Sequence, residues 1–196
     1  MAPKKYSRKR PASTKPAKAA APGRSASEVR ARWLEAEQAW ELVHPRCALE
    51  RAEDLEEVDQ MVEMGETEIA VDELRWLLGG CSDFIAAHSR LGELAMADND
   101  LPLARGHFGQ AYRAGEQAMR RAGSGGPLPF RLPANQEFHS AGKGLVACLL
   151  AVDKREMAEQ VVEQLLRLDP SDPLFVRGLL DRSAPGDAPQ CALPPQ

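Results

Sequence analysis

The chain has 196 residues and a formal net charge of −4, with 28% charged and only 5% aromatic residues. That length supports one domain with a real core. No long apolar run is present, which excludes a membrane-spanning helix, and no apolar segment follows the basic N-terminal residues, so no secretory signal is expected.

The first segment is "MAPKKYSRKRPASTKPAKAAAPGRSA". Residues 1–27 hold Lys4, Lys5, Arg8, Lys9, Arg10, Lys15, Lys18 and Arg24 and no acid, a charge of +8. Tyr6 is the only large apolar side chain there. Such a segment cannot bury enough surface to offset its ordering entropy, so a disordered basic arm is expected. Residues 28–78 reverse the sign, with 15 acids against 5 bases. From Ser183 the chain again turns to Pro, Ala and Gly, and 184–196 reads as a disordered tail. The ordered domain is therefore expected at 28–183.

Abundant Ala and Leu favour helices within it. A first helix is predicted over 28–43, with Ser25 and Glu28 at capping-box spacing. A hairpin of helices follows at 47–64 and 67–78, stopped by Gly79-Gly80. The next is 83–97 and 101–122, with Asp100 as cap and Pro102 in the first turn. Arg120 and Arg121 suit that helix's C-terminus, and Gly123 its stop. The third pair is 136–151 and 155–168. Asp172 then caps a last helix, with Pro173 at its first position and its end near Arg182, able to cover the open end of a stack.

A period underlies this order. Shifting "LGELAMADNDLPLARGHFGQA" by 34 residues carries Ala104, Phe108 and Ala111 onto Ala70, Leu74 and Leu77, and Asn99 onto Gly65. A second shift reaches Ala36, Trp40 and Val43. After a 20-residue insertion, Ala158, Val162 and Leu165 repeat the set. The spacing places each triplet on one helix face.

A 34-residue helix–turn–helix period resembles the tetratricopeptide repeat family. The match is best where Leu91-Gly92, Ala104, Phe108 and Ala111 stand, with Pro170 as a closing proline; His88 and Ala95 replace the family's Trp and Tyr. The copy at 51–84 lacks the Leu-Gly pair and the proline, and 28–43 looks like an orphan second helix. The resemblance covers about 51–170. It implies an all-α fold of stacked antiparallel helix-turn-helix repeats, a TPR-like superhelix, between disordered termini.

Signals of chemistry are weak. His44, His88, His107 and His139 belong to no metalloprotease or nucleophile motif. The resemblance puts His88 at a position that packs between helices, so it is expected as a core or boundary histidine rather than a base or ligand, and His44, before Pro45, is expected in solvent. "GSGG" at 123–126 has no following Lys-Ser or Lys-Thr and reads as a hairpin exit rather than a phosphate loop. The carboxylates of "ERAEDLEEVDQ" read as a solvated face. Cys47, Cys81, Cys148 and Cys191 lack ribbon or redox-pair spacing, so reduced thiols in a cytoplasmic protein are expected. No enzyme activity, cofactor or metal is expected.

The resemblance implies that the first helices of the hairpins line a concave groove. Carried onto this chain, the groove positions are Leu55, Asp59, Val62 and Glu63, then Ser89, Glu93 and Met96, then Lys143, Ala147 and Leu150. These positions hold no Asn and only Lys143, so a clamp for a C-terminal carboxylate is not expected. An acidic groove prefers a basic or amphipathic segment of a protein partner. The expected role is a non-enzymatic interaction scaffold or adaptor, or in a variant a small repeat-built chaperone. A different class remains open: the arm, through Lys4, Lys5, Arg8, Lys9 and Arg10, can contact nucleic-acid phosphates without reading sequence. "KKYSRKR" would also serve as a nuclear-import signal in a eukaryote. The arm can alternatively lie against the acidic first hairpin near Asp59 and Glu63.

Overall fold

The computed structural model describes residues 28–182. The arm with its Lys4–Arg10 cluster, Ser25 of the expected capping box, and the tail lie outside the described residues. The first element is not a helix over 28–43 but an antiparallel hairpin, β1 (Arg30–Leu34) and β2 (Ala39–Val43). The expected all-α class therefore becomes a mostly helical fold with one small sheet.

The hairpin's register pairs Arg32 with Glu41 and Trp33 with Trp40. The first pair forms a salt bridge at 2.6 Å, and the second sets its rings edge-on, 5.7 Å apart. Cross-strand pairs of these kinds stabilise a sheet by roughly 0.2–1 kcal/mol each. The other edge of β2 is also satisfied. Trp40 N–H donates to Pro127 O at 2.8 Å, and Leu42 N–H to Asn135 Oδ1 at 2.9 Å. Asn135 Nδ2 donates in turn to the carbonyls of Trp40 and Pro129. Val29 and Leu42 then enter the core. A helix would gain its local bonds but forgo these partners, and here the tertiary partners decide.

Eight helices follow among the described residues. The expected helix at 47–64 is broken into α1 (Arg46–Leu49) and α2 (Ala52–Glu63). α3 (Thr67–Gly80) runs through Gly79, which was expected to stop it. α4 (Ile85–Ala97), α5 (Leu101–Arg121), α6 (Pro133–Ala151) and α7 (Arg155–Leu168) lie close to their expected spans. Asp100 caps α5 by accepting from Leu103 N–H at 3.0 Å. The last helix, α8 (Arg177–Arg182), is shorter than expected. Asp172 does accept from the N–H groups of Val176 and Arg177, but Asp172 and Phe175 have left-handed φ of 49° and 54°, which keeps the intervening residues out of the helix.

The three tight turns share one geometry. Gly65, Asn99 and Asp153 have φ of 82°, 60° and 55°. After each, the next residue's N–H returns to a carbonyl five residues back: Glu66 to Met61, Asp100 to Ala95, Lys154 to Leu149, each at 2.8 Å. The small residues of the period, Ala70, Ala104 and Ala158, are fully buried. Gly92 lets Phe108 approach so closely that an added Cβ would lie 2.8 Å from its ring.

Consecutive helices pack pairwise from α2 to α7, and α6 also packs on α4. β1 rests on α5, β2 on α6, and α8 on α6 and α7. Two apolar clusters result. The larger joins Val29 and Leu42 to α5, α6, α7 and Val176, while the smaller joins Ala48 and Val58 to α3 and one face of α4. α4 contributes to both, through Ile85 and Ala95 to the larger and Ala87, Leu91 and Leu94 to the smaller.

The expectation of reduced thiols fails at one pair. Cys47 and Cys81 form a disulfide, with Cα atoms 5.7 Å apart and a sequence separation of 34, equal to the offset that carries Ala70 onto Ala104. Disulfides of this kind persist mainly in oxidising compartments. Cys148 is a buried free thiol, and Cys191 lies outside the described residues. Among the described residues no helix is long and apolar enough to cross a membrane.

Candidate functional site

The face formed by α2, α4 and α6 converges on Arg90. From α4, its Nε donates to Asp59 Oδ1 on α2 at 2.7 Å, and Nη2 to Asp59 Oδ2 at 3.3 Å. Nη1 reaches Glu93 Oε2, one turn on, at 3.4 Å, and Nη2 lies 3.9 Å from Glu137 Oε1 on α6. One guanidinium thus ties three helices that are distant in sequence. The planar fork suits this role, because it can hold Asp59 with two parallel bonds while a remaining N–H faces another carboxylate.

Beside Arg90 lies an open recess of about 340 Å³ lined by Asp59, Val62, Glu63, Arg90, Glu93 and Leu94. The one cation faces Asp59, Glu93 and Glu137, and Glu63 adds a further carboxylate at the rim. Hydrogen bonds to Asp59 hold the guanidinium firmly protonated, its pKa raised against the opposing effect of burial. Burial pushes the Glu93 carboxyl up; Arg90 pulls it down, while Glu137 and Asp59 add to the rise. Glu137 Oε2 is buried with no hydrogen-bond partner among the described residues. The recess therefore holds more negative charge than its own cation neutralises.

Four of the ten groove positions read from the sequence, Asp59, Val62, Glu63 and Glu93, come together in this recess. The others do not line it. Leu55 is half-buried against the smaller core. Ser89 is fully buried, its Oγ without a partner among the described residues, so it faces the interior rather than a groove. Met96 and Leu150 pack half-buried against the larger core, Ala147 is half-buried, and Lys143 is exposed on α6. Arg90 was missed. The expected groove position falls on its neighbour Ser89, one residue round α4, although a lone arginine among acids is a usable signal.

The histidines occupy different settings. His44 is not solvated: it is half-buried with Nε2 2.8 Å from Ala134 O. His139 is buried and its Nε2 donates to Leu128 O at 2.6 Å. His88 and His107 face each other with Nδ1 atoms 3.1 Å apart, and His88 Nε2 donates to Ser82 O at 3.1 Å. Both neutral rings then have assigned tautomers, with His107 Nδ1–H donating to the bare Nδ1 of His88. Burial lowers the pKa of all three of His88, His107 and His139. Among the described residues no group of three or more His, Cys, Asp or Glu side chains is placed to hold a metal ion.

In comparison with known proteins, no family model matches the sequence, and neither a curated protein nor a solved structure matches it.

Proposed function

We propose that the chain is a non-enzymatic interaction scaffold, built from stacked TPR-like helix pairs, whose α2–α4 recess takes a basic, amphipathic segment of another protein. The observation that carries this reading is the Arg90 network, in which one guanidinium stands among Asp59, Glu93 and Glu137 with Glu63 at the rim. A lysine or arginine entering there supplies the missing positive charge, and Val62 and Leu94 offer it apolar flanks. The three alike turns and the buried Ala70, Ala104 and Ala158 support the repeat reading, since stacked hairpins present their first helices on one surface.

The test is a titration of the isotope-labelled full chain with an amphipathic Lys/Leu peptide and with its Glu/Leu counterpart. Shifts should cluster at 59–63 and 90–94 for the basic peptide alone, and Glu63→Lys should weaken that binding several-fold. Apolar flanks should let part of the affinity survive a rise in salt that abolishes pure phosphate-type binding. Equal binding of both peptides, or shifts confined to other helices, would overturn the reading.

A further inference from the structure

A second surface carries an unpartnered face. Of the eight large apolar side chains exposed among the described residues, four lie within residues 46–80: Leu49, Met64, Ile69 and Trp76. Ile69 and Trp76 are two turns apart on α3, 56% and 59% exposed, with Asp72 and Glu73 between them and Glu68 beside them. None of these residues lines the recess at Arg90.

The same segment holds 11 acids and 3 bases, and its three cations are already engaged. Arg46 pairs with Glu50, and Arg75 with Asp72. Arg51 donates to Leu77 O at 2.6 Å and lies 4.7 Å over the Trp76 ring. Glu68 and Glu73 have no ion pair among the described residues. The face thus combines uncompensated negative charge, an indole and a β-branched aliphatic side chain.

The chain's own opposite charge is tethered beside it. Val29 N–H is held by Asp83 Oδ2 at 3.3 Å, and Asp83 lies three residues past Gly80, the end of α3. Glu28, the first described residue, pairs with Arg121 at the C-terminal end of α5, so the described chain begins where the ends of α3 and α5 and the start of α4 are joined, and residues 1–27, with a charge of +8 and no acid, are tethered there. The C-terminal end of a helix carries its negative partial charge and favours cations. α3 has 14 residues, about 21 Å at 1.5 Å per residue. A 27-residue chain covers that span readily, with a mean end-to-end distance of roughly 30 Å. Tethering raises the effective concentration to the mM range, so individually weak contacts suffice.

We propose that the basic arm is the occupant of this face: Lys and Arg side chains of residues 4–24 lie along Glu68, Asp72 and Glu73, and the free side of the Trp76 ring takes a cation or Tyr6. The seat is electrostatic and reversible, and it withholds the arm from other acidic surfaces and from nucleic-acid phosphates. It differs from an arm lying at Asp59 and Glu63, because Asp59 is already bound by Arg90. It does not depend on what the recess binds.

The test compares the labelled full chain with a full-length variant in which Lys4, Lys5, Arg8, Lys9 and Arg10 are all changed to Gln. At about 20 mM salt the Trp76 indole resonance and the amides of 68–76 should differ between the two. At about 500 mM salt, where the screening length falls to a few ångströms, they should coincide. Glu73→Lys, at a half-buried position of α3 with no ion pair to lose, should move the arm amides of the full chain to the shifts of a synthetic 1–27 peptide. Identical α3 spectra at low salt would overturn the proposal. So would differences that grow with protein concentration, which mark a second copy on the face, or differences that appear at 59–63 instead.

Discussion

Reducing the Cys47–Cys81 bond opens a loop closed across 34 residues. The chain-entropy relation assigns a loop of that length about 3.8 kcal/mol at 25 °C. The bond joins the start of α1 to the end of α3, and Cys81 sits in the smaller core beside Leu77 and Phe84. Cys148 is already a free thiol, so the reductant acts on the Cys47–Cys81 bond, and the burial of Cys148 shields it from alkylation in the native chain. A Cys191→Ser background removes the thiol outside the described residues. In that background, reduction should lower the melting temperature by roughly 8–15 °C, at about 2–4 °C per kcal/mol for a domain of this size. Cys47→Ala combined with Cys81→Ala should melt like the reduced chain and ignore reductant. The contacts of Arg51 with Leu77 O and Trp76 do not involve the disulfide, so α3 should stay helical below the transition. Calorimetry with and without reductant, with alkylation to count thiols, checks this. Equal melting temperatures, or three reactive thiols in the unreduced native parent chain, would refute the reasoning.

Three further outcomes are expected. Ala104→Leu should lower stability by about 1–3 kcal/mol through overpacking, while Gly106→Ala, where an added Cβ meets nothing within 4 Å, should raise it by up to about 1 kcal/mol; denaturant midpoints measure both. His88, His107 and His139 have lowered pKa values in the fold, so the unfolded chain binds more protons below its ordinary histidine value of 6.5 and stability should fall as pH drops through that value. Asp169 is different: burial raises its pKa, but hydrogen bonds from Ser171 and Phe130 outweigh it and lower it, so its contribution is lost only in stronger acid. Urea midpoints from pH about 7.5 to about 5 separate the two, and a flat profile there would contradict the histidine assignment.

The turns and the buried small residues were legible because both obey local rules. A left-handed residue suits Gly or Asn, and the buried Ala70 and Ala104, 34 residues apart, mark close approaches. The hairpin was not legible, because Ala36, Trp40 and Val43 fit a helical triplet while the groups that settle the matter, Pro127 and Asn135, lie far downstream. The disulfide was half-written in the sequence: its cysteines are 34 residues apart, the same offset that relates Ala70 to Ala104, while metal and redox-pair spacings point elsewhere. At the recess the acids were found from their place on α2 and α4. Arg90 is the only Lys or Arg on α4, which was a usable signal, but its pairing with Asp59 and its approach to Glu137 depend on helices 31 and 47 residues away.

Asn135 also sets a timetable. The bond that fixes β2 joins residues 93 apart. On the ribosome, at roughly 5–20 residues per second, the strand waits about 5–20 s for its anchor to be made. The smaller core needs nothing beyond Leu94, so it can close while the larger one is still being synthesised. Throughout that interval the N-terminal strands, with Trp33 and Trp40, are open to any chaperone or neighbouring chain. Newborn copies crowded on one message would meet through these strands rather than through the finished helices.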